Sequence, residues 1–238
     1  MKILKKEIEN NDVYALAVTK KYIVINSNYK GLTVFDKNFS FVTEIDVDEE
    51  LVIYQMYAST LNDYVIIQDL ENETLYSVEV KNKKIVKMQC TTFFMQNYYV
   101  DGSRFRLMDG EKNYFFTYDN LLFTVEEHSV NGLTYLTNNQ EEIIYRDYEK
   151  IIYDDGKMKK ELLYNSKGYF YSIKDKKIIK YDEEELYLWE NDEWILLYEA
   201  ESSYSIRQCI LENERCYFLI NNKGNRDESE LACLFLEI

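Results

Sequence analysis

Tyr22-Ile23-Val24-Ile25-Asn26-Ser27-Asn28-Tyr29-Lys30-Gly31-Leu32-Thr33-Val34-Phe35-Asp36-Lys37-Asn38-Phe39-Ser40-Phe41-Val42-Thr43-Glu44-Ile45 is the stretch on which the fold turns. Short apolar runs alternate here with polar turns. The last run places Phe39, Phe41, Thr43 and Ile45 on one face, the period of two that marks a strand packed on one side. The first run, residues 22–25, is apolar on both faces and predicts a strand buried on both. The same order returns downstream. Tyr64-Val65-Ile66-Ile67 is followed by the polar Asp69-Leu70-Glu71-Asn72-Glu73, by residues 74–78, by Lys81-Asn82-Lys83-Lys84, and by Ile85-Val86. A third copy passes from Phe105-Arg106-Leu107-Met108 through Asp109-Gly110-Glu111-Lys112, residues 114–118 and Asp119-Asn120 to residues 121–125. The runs read as inner strands begin near residues 22, 64 and 104.

Four short strands in about 40 residues is the arithmetic of a β-propeller blade. On these units the chain resembles the β-propeller superfamily in architecture. Residues 64–86 are similar to the repeats of YVTN-type propellers: a Tyr-Val strand, a polar turn, a second strand, then a Lys-rich turn. The Gly-His and Trp-Asp signatures of WD40 repeats, the paired glycine of kelch repeats and the Ser-x-Asp-x-Gly-x-x-Trp box of sialidases do not occur. The second half is less regular. Inner-strand candidates there begin at Leu133, Tyr169 and Cys216, spacings that suit six units, with five as the alternative.

The last unit shows three strands, residues 204–210, 216–220 and 231–236, while the first eight residues, with Ile3, Leu4 and Ile8, form a strand without a unit. Pairing that strand outside the last one completes a four-stranded blade and removes an exposed edge. A β-sandwich with two terminal edge strands is the alternative. No segment sustains a 3.6-residue period with caps, and Asp182-Glu183-Glu184-Glu185 reads as an acidic turn entering a strand. The expectation is an all-β single domain over residues 1–238.

Composition agrees. A length of 238 residues suits one large β domain, and 46% apolar residues suffice for its core. Aromatic residues make up 16%, 23 of them tyrosines, which suit half-buried pleated surfaces. Proline is absent, and glycine and alanine are scarce beside abundant Asn, Ile, Lys and Tyr, the codon bias of an AT-rich genome. The net charge is −15, from 43 acidic and 28 basic residues, with −6 on residues 1–127 and −9 on the remainder. A field so spread repels phosphate backbones, which argues against nucleic acid, and attracts basic partners. Met1-Lys2-Ile3-Leu4-Lys5-Lys6-Glu7 has no apolar stretch behind its charges, and no run reaches the ~18 apolar residues of a membrane span. A cytoplasmic protein with Cys90, Cys209, Cys216 and Cys233 reduced is expected.

His128 is the sole histidine. A histidine-based triad or a multi-histidine metal site within one chain is therefore ruled out, and His128 reads as a loop residue. The cysteines lack Cys-x-x-Cys spacing. Cys209 and Cys216 face each other if Glu212-Asn213 forms a two-residue hairpin turn, giving either a disulfide or, in a reducing compartment, two buried thiols. Gly102, Gly110 and Gly132 are isolated and open no phosphate loop. Asp154-Asp155-Gly156 and Asp46-x-Asp48 fall short of a calcium loop. No cofactor, metal or catalytic set is expected. The enzymatic alternative is a carboxylate-dependent glycan-acting protein, since 43 acids leave many pairs to choose from. A small-molecule or glycan ligand remains open beside it.

The propeller resemblance sorts the loops. Those joining strands two and three, and strand four to the next unit, open on one face; the others open on the opposite face. The first set carries Asp46, Asp48, Glu49, Glu50, Asp69, Glu71, Glu73, Asp109, Glu111, Glu126 and Glu127, with Lys30 and Lys112 as exceptions. The second carries Lys20, Lys21, Lys37, Lys81, Lys83 and Lys84, with Asp36, Asp63 and Asp119 as exceptions. Trp189 and Trp194 flank Glu190-Asn191-Asp192-Glu193 and serve either as rim anchors or as core of the fifth unit. The functional expectation is a non-catalytic intracellular module docking a basic partner on its acidic loops, with an immunity or antitoxin-like protein as its specific form. A general scaffold or adaptor explains the same residues.

Overall fold

The computed structural model describes residues 2–92, 94, 96–99, 102–109, 112–127, 134–139, 142–147, 150–162 and 169–236. Gly110, Glu111, His128, Gly132 and Leu133 lie outside the described residues. Six four-stranded antiparallel sheets form the blades of a propeller, and no described residue is helical.

The N-terminal strand β1 (Lys2–Glu9) belongs to the last blade. Blade 1 is β2 (Leu16–Val18), β3 (Tyr22–Ser27), β4 (Gly31–Asp36) and β5 (Phe41–Asp46). Blade 2 is β6 (Gln55–Ala58), β7 (Tyr64–Asp69), β8 (Thr74–Glu79) and β9 (Lys84–Gln89). Blade 3 is β10 (Gln96–Tyr99), β11 (Arg104–Met108), β12 (Lys112–Thr117) and β13 (Phe123–Glu127). Blade 4 is β14 (Thr134–Asn139), β15 (Glu142–Asp147), β16 (Lys150–Asp154) and β17 (Lys159–Leu162). Blade 5 is β18 (Phe170–Lys174), β19 (Lys177–Tyr181), β20 (Glu185–Glu190) and β21 (Glu193–Glu199). Blade 6 is β22 (Tyr204–Glu212), β23 (Arg215–Asn222) and β24 (Glu228–Phe235), with β1 outermost. The six-blade count and the closing strand agree with the sequence reading; the sandwich does not.

One assignment needs correction. The runs near residues 22, 64 and 104 are the second strands of their blades, and β2, β6 and β10 precede them as the innermost. β2 has three residues and β6 and β10 four each, too few to show a pattern in sequence.

The doubly apolar character of β3 follows from where it lies. Ile23 and Ile25 point toward blade 6, packing with Leu219, Leu231 and Cys233, while Val24 points toward blade 2 and packs with Val65, Ile67 and Val78. All three side chains have no exposure at all. Burial of each contributes about 1.5–3 kcal/mol. The same inter-blade wedges recur between blades 2 and 3, around Ile66, Leu75, Phe105 and Phe116, and between blades 5 and 6, around Ile179, Leu186, Phe218 and Ile220. The core is thus a set of wedges between sheets.

Turns in this glycine-poor chain use other residues. Asp175-Lys176 and Asn191-Asp192 both take positive φ at their two-residue hairpins, as do Asn28 (46°), Glu73 (48°) and Asn213 (51°) at single positions. The β22–β23 turn is Asn213-Glu214, one residue later than the sequence suggested, because Glu212 pairs with Arg215. Cys209 and Cys216 lie across this hairpin with sulfurs 3.1 Å apart, both as free thiols. Burial pushes the Cys216 thiol up, which disfavours the reactive thiolate.

Closure joins eight consecutive residue pairs, from Lys2↔Phe235 to Glu9↔Glu228. Leu4 and Ile8 turn inward onto the blade 6–blade 1 wedge. At the same junction Lys37 of blade 1 pairs with Glu212 of blade 6, and Arg215 donates to the Lys37 carbonyl.

Candidate functional site

Antiparallel order places the β3–β4, β7–β8, β11–β12, β19–β20 and β23–β24 loops on one rim, together with the segments leading from each outermost strand to the next blade. The connections between those inter-blade segments and their blades are held by buried amides near the ends of second strands. Asn26 accepts from the Tyr14 and Ala15 N–H groups at 2.9 and 3.0 Å and donates to the Asp12 carbonyl at 2.7 Å. Gln68 donates to the Thr92 carbonyl at 2.8 Å. Irregular backbone that a ladder cannot serve is satisfied in this way.

On this rim, between blades 1 and 2, lies a cleft of about 770 Å³ lined by Lys30, Asp46, Asp48, Glu49, Glu50 and Lys87. Asp46, Glu49 and Glu50 are exposed, and their side chains make no hydrogen bond or ion pair among the described residues. Asp48 differs. Its Oδ2 accepts from Lys87 Nζ at 3.1 Å and from the Tyr76 hydroxyl at 2.9 Å. The Lys87 hydrogen bond, followed by that from Tyr76, holds the Asp48 carboxyl below its ordinary value. Desolvation, followed by the hydrogen bond to Asp48, raises the Tyr76 hydroxyl. Asp48 therefore ties the inter-blade segment to blade 2 and presents a fixed negative charge to the cleft.

The remaining expected residues divide. Glu71 and Glu73 of the β7–β8 loop are exposed beside the cleft, and Glu126 and Glu127 are exposed at the end of β13. Asp69 is fully buried. Its Oδ2 accepts from the Val52 N–H at 3.1 Å and the Asn72 amide at 2.8 Å, and its Oδ1 from the Asn72 N–H at 3.0 Å. It locks its turn to the segment entering β6 and offers nothing to a partner. Asp109 plays a similar part, accepting from the Lys112 N–H and the Tyr114 hydroxyl, each at 2.8 Å. Glu111 lies outside the described residues.

Trp189 and Trp194 are not brought to this rim. They are cross-strand partners beside the Asn191-Asp192 turn, which opens on the opposite rim. Their ring centroids are 4.7 Å apart, and both pack on the wedge containing Ile151, Tyr153 and Ile178. Lys180 Nζ lies 4.4 Å from the Trp194 ring centroid. Half-buried, they cover the wedge between blades 4 and 5.

Among the described residues, exposed aromatics on the acidic rim include Tyr29, in the β3–β4 loop, and Tyr54, just before β6, at 49% and 53% exposure. Sequence reasoning passed them over because 23 tyrosines dilute the signal. Their membership of loops already assigned to this rim was the available clue.

No protein-family model matches the chain, and no curated protein matches it in sequence. Solved structures do match in shape. BamB from Moraxella catarrhalis aligns with a TM-score of 0.55 at 8% identity, over 93% of this chain and 85% of that one. Hsv2 from Kluyveromyces lactis aligns with a TM-score of 0.50 at 8% identity, over 92% and 74%. PorZ, an essential bacterial surface component of the type-IX secretion system of Porphyromonas gingivalis, gives 0.52 at 12% identity, over 98% of this chain and 38% of its own. At these identities the likeness is one of fold.

Proposed function

We propose that this chain is a non-catalytic, cytoplasmic protein-binding module whose acidic rim docks the basic surface of another protein. The observation that carries the reading is a set of exposed carboxylates without ion pairs among the described residues, Asp46, Glu49 and Glu50 at the cleft and Glu71 and Glu73 on the β7–β8 loop, whose Asn72 donates to the Glu50 carbonyl. Carboxylates left unpaired on a rigid frame speed encounter with a basic surface and reject acidic ones. Tyr29 and Tyr54 supply apolar area of the kind that anchors interfaces. PorZ, similar in fold, is a component of a secretion system, a setting that suits a binding role. In its specific form the reading is of an immunity or antitoxin-like protein covering a basic toxin such as a nuclease.

The glycan-hydrolysis alternative requires an acid with a raised pKa facing a second carboxylate. Asp48 of the cleft is held below its ordinary value, the opposite of what a general acid needs.

The test is affinity capture from native lysate with wild type beside a variant carrying Asp46→Asn, Glu49→Gln, Glu50→Gln, Glu71→Gln and Glu73→Gln. Asp48 and Asp69 are left intact, so the fold is not perturbed. A basic protein retained by wild type at low salt and lost from the variant supports the reading. Equal retention by the variant, or no basic partner at low salt, overturns it.

A further inference from the structure

A second cavity, of about 550 Å³, opens on the same rim where blades 6 and 1 meet, and its chemistry is the reverse of the cleft's. Arg207, Lys223 and Arg226 line it, against the two carboxylates Asp12 and Glu183. The side chains of these three cations form no ion pair or hydrogen bond among the described residues. Asp12 is engaged instead by the Tyr29 hydroxyl at 3.2 Å.

Backbone geometry singles out Arg207. Ile206 pairs with Ile220 and Gln208 with Leu219, so Arg207 is the extra residue of a β-bulge in β22, the innermost strand of its blade. Bulges re-aim side chains and occur beside functional sites. Its neighbours are committed to structure: Ile206 is core, and Gln208 accepts from the Leu16 N–H at 2.9 Å. Arg207 alone among them is exposed, and it lines the cavity.

Asn221 is a fixed part of the lining. It lines the same cavity and is 7% exposed. Its Nδ2 donates to the Val13 carbonyl at 2.6 Å, which fixes the orientation of the amide. Its Oδ1 is then a buried acceptor without a donor among the described residues. Tyr14 and Tyr29, with ring centroids 6.2 Å apart, form one wall.

We propose that this cavity binds a small organic anion, a phosphate monoester or a carboxylate. Arg207, Lys223 and Arg226 hold the anionic group by charge-assisted hydrogen bonds. The volume lies within the range of small-ligand sites. Asp12, Glu183 and the acidic rim repel a polyanion, which confines the ligand to a small molecule.

The experiment is calorimetric titration of the whole chain with glycerol 3-phosphate, malate and, as the neutral control, glycerol. Each is added to wild type, Arg207→Gln, Arg226→Gln and Lys84→Gln, the last on the opposite rim. Glycerol 3-phosphate or malate is expected to saturate one site on wild type, while glycerol shows no binding. The stronger of the two anions identifies phosphate or carboxylate as the preferred group. Arg207→Gln and Arg226→Gln should each weaken binding about tenfold, the effect of losing one charge-assisted contact, with Lys84→Gln unchanged. Both arginines are exposed, and circular dichroism verifies that the variants are folded. Failure of both anions to saturate, wild-type affinity in both arginine variants, or equal weakening by Lys84→Gln overturns the proposal. The acid-to-amide rim variant described above should retain anion binding, so the two readings fail separately.

Discussion

Replacing Asp69 by alanine is the sharpest test of how the acidic rim is built. The carboxylate accepts three hydrogen bonds, from the Val52 N–H, the Asn72 N–H and the Asn72 side chain. Hydrogen bonds to a charged group contribute about 1.5–3 kcal/mol each, but the three losses do not add. Asn72 is exposed and regains water, whereas the Val52 N–H is half-buried and is served less well. A loss of about 3 kcal/mol is expected, which for a chain of this size lowers Tm by about 6–12 °C. Urea and thermal unfolding read it directly. Asp69→Asn should also destabilise, because its new Nδ2 meets groups that are themselves donors. Glu71→Ala, two residues away and exposed, should stay within about 0.5 kcal/mol of wild type. If Asp69→Ala matches Glu71→Ala, the buried role is refuted and Asp69 returns to the docking set.

Two further outcomes follow from geometry near the same cleft. A Cβ on Gly31 would lie 2.0 Å from the Ile45 carbonyl oxygen, so Gly31→Ala should cost more than about 2 kcal/mol in urea unfolding. Gly102→Ala, whose Cβ meets nothing within 4 Å, is the control; similar losses at both positions would refute the steric reading. Asp48 titrates below its ordinary value because of Lys87 and then Tyr76. A carboxyl depressed by folding stabilises fully above its unfolded value of about 3.9, and that contribution is lost as pH falls through the lowered native value. Lys87→Met should therefore raise the Asp48 pKa in an NMR titration and weaken the acid dependence of stability below about pH 4; an unmoved Asp48 would contradict the pairing.

Sidedness was legible because strand alternation alone assigns each loop to a rim. Exposure within a loop was not. Asp69 closes its strand and Asp109 directly follows one, and each accepts from the N–H three residues on, as do Asp182 from Glu185 and Asp155 from Met158. Aspartate opening a turn is a recognised local device, and that rule, applied to the order of residues alone, separates the turn-locking acids from Glu71 and Glu73. The short innermost strands were obscured for another reason. Gln55-Met56-Tyr57-Ala58 gains its strand character from pairing with β7, which a four-residue window does not contain. The tryptophans misled because an acidic turn beside them resembled the acidic loops, while the hairpin's place in its blade put it at the other end.

The pairing of β1 with β24 also sets a timetable. Lys5 and Glu230, joined in the finished ring, are 225 residues apart in the chain. At ribosomal speeds of about 5–20 residues per second, β1 spends roughly 10–45 s without its partner. An apolar strand idle for so long would recruit whatever edge lay nearby. Lys2, Lys5, Lys6, Glu7 and Glu9 leave only Ile3, Leu4 and Ile8 as apolar residues in β1, and charges of this kind discourage edge-to-edge association. The same residues that make β1 a poor strand on its own keep it available until the last blade is synthesised.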